Sequence, residues 1–222
     1  MGEAAWVAVG GSTDLAPRSV MPAIVRGTEM VVWRDADGAV HAWRNRCPHR
    51  GMRLSFGFVD GDGRLACRYH GWRYGPDGRC AAVPAHPDLP PPAGVSVPAF
   101  ASGERDGLIW VARAGETAPP GIAAPGETAV FCRSVVVRAP LEATGRTVAA
   151  GGGAGEPAPG VIRTVADGEA VIAALQPIDA ARTGLHLLAV ASGRDTVDLR
   201  LAVAAWGRRL RAAIEAEGPR DG

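Results

Sequence analysis

CPHRG at residues 47–51 and CRYHGWRYGPDG at residues 67–78 decide how this chain reads. One residue separates Cys47 from His49, and two separate Cys67 from His70. The pattern is therefore C-x-H, a spacer from Arg50 to Ala66, and then C-x-x-H. Each half offers one thiolate and one imidazole. Gly51 and Gly71 follow closely after the histidines, which places each pair on a tight loop.

Two such loops facing each other can grip a small cluster from both sides. Thiolates carry negative charge and stabilise ferric iron, and neutral imidazoles in place of two of them make reduction easier. In a [2Fe–2S] cluster held by Cys47, His49, Cys67 and His70, the cysteines hold the iron that stays ferric and the histidines the iron that takes the electron. Backbone amides of the Gly51 and Gly71 loops are expected to approach the cluster sulfurs, with Pro48 and Trp72 keeping water away. The competing reading is a zinc site, but its usual order is two cysteines close together and then two histidines on a helix. Here Cys and His alternate in a strand–loop context.

Outward from the motif, residues 29–34 and 39–44 read as strands joined by a hairpin at Asp37-Gly38. Residues 64–67 and 72–74 flank the second pair, and Pro76-Asp77-Gly78 turns the chain back toward Cys80. Residues 96–101 and 108–112 form a further hairpin across Gly103 to Gly107. Short strands and frequent turns predict a small all-β domain over residues 1–113. Residues 114–127, rich in Pro, Gly and Ala, read as a linker. Residues 128–222 follow as a second domain: a strand from Ala129 to Val137, a glycine-rich loop from Ala149 to Gly160, and a strand pair at 161–166 and 170–176. Another strand covers 184–191. A last helix carries Leu199, Val203, Trp206, Leu210 and Ile214 on one face, with Asp195 as N-cap and Gly218 as stop.

Bulk properties narrow the function. The 222 residues support one sizeable domain or two small ones. A net charge of +1 gives no footprint for nucleic acid or an acidic membrane. The basic residues are all arginine, which reads first as composition bias. Residues 1–11 lack the pattern of a signal peptide, and no apolar run is long enough for a membrane span. Four cysteines without an export signal point to a reducing cytoplasm, where regularly spaced cysteines more often bind metal than pair.

At the two cysteine–histidine pairs and the HGW that follows the second, the chain resembles the N-terminal Rieske domain of Rieske non-haem iron oxygenases, the terminal components of ring hydroxylases and O-demethylases. The likeness covers roughly residues 5–113. Respiratory Rieske proteins add a cysteine to each loop, and here Arg50 and Tyr69 stand near the ligands without one. FCRSVVVRAPL at 131–141, QPIDAARTGLHLL at 176–188 and WGRRLRAAIEAE at 206–217 resemble the start and end of the oxygenase catalytic domain.

That resemblance implies an α+β fold. The Rieske domain is followed by a reduced antiparallel sheet with a C-terminal helix, a remnant of the catalytic domain. It also implies a mononuclear iron held by two histidines and a carboxylate, but EATGRTVAAGGGAGEPAPG after Leu141 contains no histidine. Beyond the linker only His186 remains, and His41 and His86 lie in the first domain, so no catalytic residue is assigned.

The implied role is electron transfer in a hetero-oligomer, from a reductase or ferredoxin to a partner oxygenase subunit. The alternatives are a small self-contained oxygenase with a rebuilt iron site, drawing on His186 with His41 or His86, and a structural or regulatory subunit. Cys80 and Cys132 read as small hydrophobes, and His41 and His186 as packed strand residues. Arg208, Arg209 and Arg211 form either a solvated helix face or a dock for an acidic redox partner.

Overall fold

The computed structural model describes residues 4–113, 115–153, 155–191 and 196–217. Asp195 and Gly218, the expected cap and stop of the last helix, lie outside them. The first part contains β1 (Val7–Gly11), β2 (Val20–Val25), β3 (Thr28–Arg34), β4 (Val40–Arg44), β5 (Phe58–Val59), β6 (Leu65–Ala66), β7 (Arg73–Tyr74), β8 (Cys80–Ala82), β9 (Ala99–Arg105) and β10 (Leu108–Ala112). The second contains β11 (Thr128–Val137), α1 (Leu141–Ala149), β12 (Val161–Ala166), β13 (Glu169–Pro177), β14 (Thr183–Ala191) and α2 (Thr196–Glu217). The class is α+β, with every strand pairing antiparallel.

Three sheets result, in the orders β1-β10-β9-β4-β3-β2, β5-β6-β7-β8 and β11-β14-β13-β12. The hairpins follow their turn residues. Ala166 pairs with Glu169 across Asp167-Gly168, and both turn residues have positive φ (52° and 85°), as a two-residue hairpin of matching twist requires. Strand β9 runs on to Arg105, further than the sequence pattern indicates, because Asp106-Gly107 alone makes the turn.

One element of the second part is absent from the sequence reading. Thr144, Thr147 and Gly145 dilute the pattern of helix α1, which nevertheless starts after Pro140 and buries Thr144, Gly145 and Val148. The glycine-rich segment is an exposed loop, as the sequence reads it, with its backbone tied to the sheet. Arg163 and Val165 donate their amides to the Gly155 and Gly152 carbonyls (2.9 and 2.8 Å), so the segment covers the free edge of β12.

The β11–β14 sheet buries both faces. On one side Val135, Val137, Leu185, Leu187 and Ala189 pack against Leu199, Val203, Leu210 and Ile214 of α2. Gly207 allows the close approach, since a Cβ there would sit 2.4 Å from Leu187 Cδ1. On the other side Phe131, Ile172, Ala174, Leu188 and Val190 pack against Ala8, Leu108 and Trp110 of the first sheet. Ile122, within the proline-rich 114–127 segment, is 1% exposed in that same core, and Asp106 accepts the Ile122 amide at 2.7 Å. The two parts therefore share a core, and the segment between them is tied down.

Candidate iron–sulfur site

Two loops of the β5–β8 sheet region share one backbone design. In the first, the Cys47 amide donates to the Met52 carbonyl (2.8 Å) and the Gly51 amide to the Cys47 carbonyl (2.9 Å). In the second, Cys67 donates to Trp72 (2.8 Å) and Gly71 to Cys67 (2.9 Å). Gly51 and Gly71 both sit in left-handed backbone, at φ 75° and 71°. A side chain there would be strained, and the Gly51 position also lies against the Arg46 guanidinium. The glycine amides themselves close the turns onto carbonyls, while other amides of the second loop approach the sulfur as the sequence reading expects. The amides of Tyr69 and His70 are the ones that face the Cys67 thiol.

The loops bring the four expected residues together in two pairs. Cys47 and Cys67 are buried side by side, 3% and 2% exposed, in front of Trp33, Trp43, Leu54, Leu65 and Val97. His49 and His70 stand outward, their rings 4.7 Å apart and near-perpendicular, and His70 is exposed. Trp72 stacks flat on His49 at 4.5 Å, and Tyr69 lies 3.8 Å from His70. Asn45 braces the first loop through Ser55 (2.8 and 2.9 Å). Arg73, paired with Asp60, and Asp60's bond to the Arg64 amide brace the strands of the second.

Burial first, then the neighbouring His70 and Arg50 charges, push His49 below the usual imidazole range, which keeps a ring nitrogen free to coordinate. Burial pushes the Cys67 thiol up, so a metal binding there displaces a proton. One site residue has no counterpart in the motif reading. Tyr74, fully buried, places its hydroxyl 3.1 Å from Cys47 Sγ. Burial and Cys47 hold that phenol far above its ordinary range, so it stays protonated. Its sequence signal, a tyrosine soon after HGW, was read only as strand.

Two buried thiols side by side and two outward imidazoles suit a two-iron cluster with mixed ligands. The other histidines are engaged elsewhere. His41 bonds Asp35 at 2.8 Å and stacks on Trp33, while His86 is exposed. His186 is buried between Ser134 (2.8 Å) and Gln176 (2.9 Å). Gln176 donates to the Ile24 carbonyl at 2.8 Å, so its amide oxygen accepts from the ring, and the histidine bridges both parts of the chain as a neutral imidazole. All four cysteines are free thiols, with Cys80 buried in the core behind the cluster residues.

Residues 5–99 match the sequence model of the Rieske [2Fe-2S] domain. The chain thus carries a Rieske domain, and its cofactor is a Rieske-type [2Fe–2S] cluster, a one-electron centre. The oxidoreductase NdmD of Pseudomonas putida is 47% identical over 106 residues, 47% of this chain and 18% of the relative. The methylxanthine N1-demethylase NdmA of the same organism is 44% identical over 97 residues, 43% of this chain and 27% of the relative. These matches span less than a third of either relative. The solved structure of NdmA aligns with 98% of this chain and 82% of its own, at TM-score 0.72 and 23% identity. The fold of that structure therefore extends through both parts of this chain. No helix among the described residues is long and apolar enough to cross a membrane.

Proposed function

We propose that Cys47 and Cys67 bind one iron and His49 and His70 the other, and that the chain is a cluster-bearing subunit of a cytoplasmic hetero-oligomer. It passes single electrons from a reductase or ferredoxin to a partner subunit that holds a non-haem iron. The observation that carries this reading is the division of the site, with thiols buried in the core and imidazoles at the surface. The bound cluster supplies a reversible one-electron change at the histidine side. His49 and His70 present that side to a partner, and Trp72 covers one flank of His49. The core behind Cys47 and Cys67 excludes water, and Tyr74 holds a proton against Cys47.

Division of labour between subunits is supported by the second part, where α1 has no histidine and His186 is spent on packing. A self-contained oxygenase is favoured only by the whole-chain likeness to a demethylase fold. Iron and acid-labile sulfide per anaerobically purified chain decide between them. Two of each support the proposal; a third iron, bound through residues of this chain, overturns it.

A further inference from the structure

Among the described residues, the ion pairs treat the last helix and the cluster tip differently. Arg209 pairs with Asp167 and Arg211 with Glu215, so most of the arginine face of α2 is neutralised. At the cluster tip, Arg44, Arg46, Arg50 and Arg68 are exposed, and none pairs with a carboxylate among the described residues. Arg44, Arg46 and Arg50 line a hollow of about 340 Å³ beside His49, closed by Pro48, Ser96 and Pro98. Arg44 and Arg46 also border an adjoining hollow of about 570 Å³ that reaches Phe56, and Glu29, the carboxylate there, is taken by Arg53 through two bonds of 2.7 Å.

Three large aromatic side chains stand exposed close by in the fold: Tyr69 (57%) against His70, Phe56 (57%) at the edge of the second hollow, and Phe58 (53%) on the strand that pairs with Ala66, next to Cys67. Arginines with exposed aromatic side chains near them are the composition of a protein-binding hot spot, and cations without a carboxylate partner steer an oppositely charged protein.

We propose that this tip is the docking surface for an acidic patch on a one-electron donor protein, with Arg44, Arg46 and Arg50 receiving its carboxylates and Tyr69, Phe56 and Phe58 its apolar rim. The inference rests on the electron-transfer reading above. In the step concerned, one electron leaves the reduced donor, which ends oxidised, and no bond forms or breaks.

The test follows cluster bleaching in the full-length loaded protein by stopped flow with two reductants. A reduced plant-type ferredoxin is the acidic protein probe, and photoreduced 5-deazaflavin is the small neutral probe. With ferredoxin, the wild-type second-order rate falls tenfold or more as salt rises from low to about 0.5 M. The double variant Arg44→Glu/Arg50→Glu loses at least tenfold at low salt, Arg44→Lys/Arg50→Lys retains the rate, and Arg208→Glu on α2 leaves it unchanged. The neutral probe reduces all of them equally. A ferredoxin rate insensitive to salt, or undiminished by the glutamates, overturns the docking surface while leaving electron transfer standing. Failure of the neutral probe to reduce wild type overturns the electron-transfer reading itself.

Discussion

Replacing Tyr74 by phenylalanine removes one hydroxyl from a side chain that is otherwise fully buried and unchanged in shape. That hydroxyl lies 3.1 Å from Cys47 Sγ and stays protonated, so it donates at every pH the protein tolerates. A hydrogen bond to a charged acceptor is worth about 1.5–3 kcal/mol. Reduction adds negative charge to the cluster and so to its sulfurs, and the bond strengthens in the reduced state. If about 1 kcal/mol of it is differential, the one-electron conversion of about 59 mV per tenfold gives a fall of roughly 40 mV in potential. Potentiometric titration followed by electron paramagnetic resonance measures it on the loaded variant. An unchanged or raised potential, with the cluster fully loaded, would falsify the assignment of Tyr74 as a sulfur donor.

Further outcomes follow from other sites. His70→Cys is expected either to keep a cluster or to lose it, but to lose the Rieske-like spectrum in both cases; a surviving Rieske signal refutes the ligand set. His186 is held down to about 4 by burial, below the usual imidazole value of about 6.5. Its folded pKa is depressed, so its contribution is complete above about pH 6.5 and is lost as pH falls toward 4. Urea unfolding at about pH 7 and pH 4.5 should differ by roughly 2–3 kcal/mol more for wild type than for His186→Gln, and equal differences refute the neutral buried imidazole. Gly207→Ala displaces the buried Leu187 Cδ1 at a cost of about 1–3 kcal/mol and gains about 1 kcal/mol of helix propensity, for a net loss of up to about 2 kcal/mol read as a lower thermal midpoint. A raised midpoint there shows that α2 lies further from β14 than described.

The features legible in the sequence are those whose cause is local. Each cysteine–histidine pair lies within one loop, so spacing alone reveals it. Asp167-Gly168 turns its hairpin by its own backbone preference, and the α2 stripe repeats every three to four residues. Helix α1 was hidden because its glycine and threonines are chosen for close packing on the sheet rather than for helix propensity. The 149–160 segment was legible as a loop, but not the tie of its Gly152 and Gly155 carbonyls to β12, because glycine permits many conformations and only the bare edge of β12 selects one.

From sequence alone, then, come the cluster, the proposed ligand set and the class of fold, because ligand chemistry and short-range turn and helix patterns are written in neighbouring residues. Tertiary structure alone places Tyr74 against Cys47, His186 and Gln176 against Ile24, and Ile122 in a core shared by both parts. It also gathers Arg44, Arg46 and Arg50, without carboxylate partners among the described residues, in a hollow beside His49. These depend on residues distant along the chain meeting in space, and on which charges find partners once they do, and no local pattern encodes either.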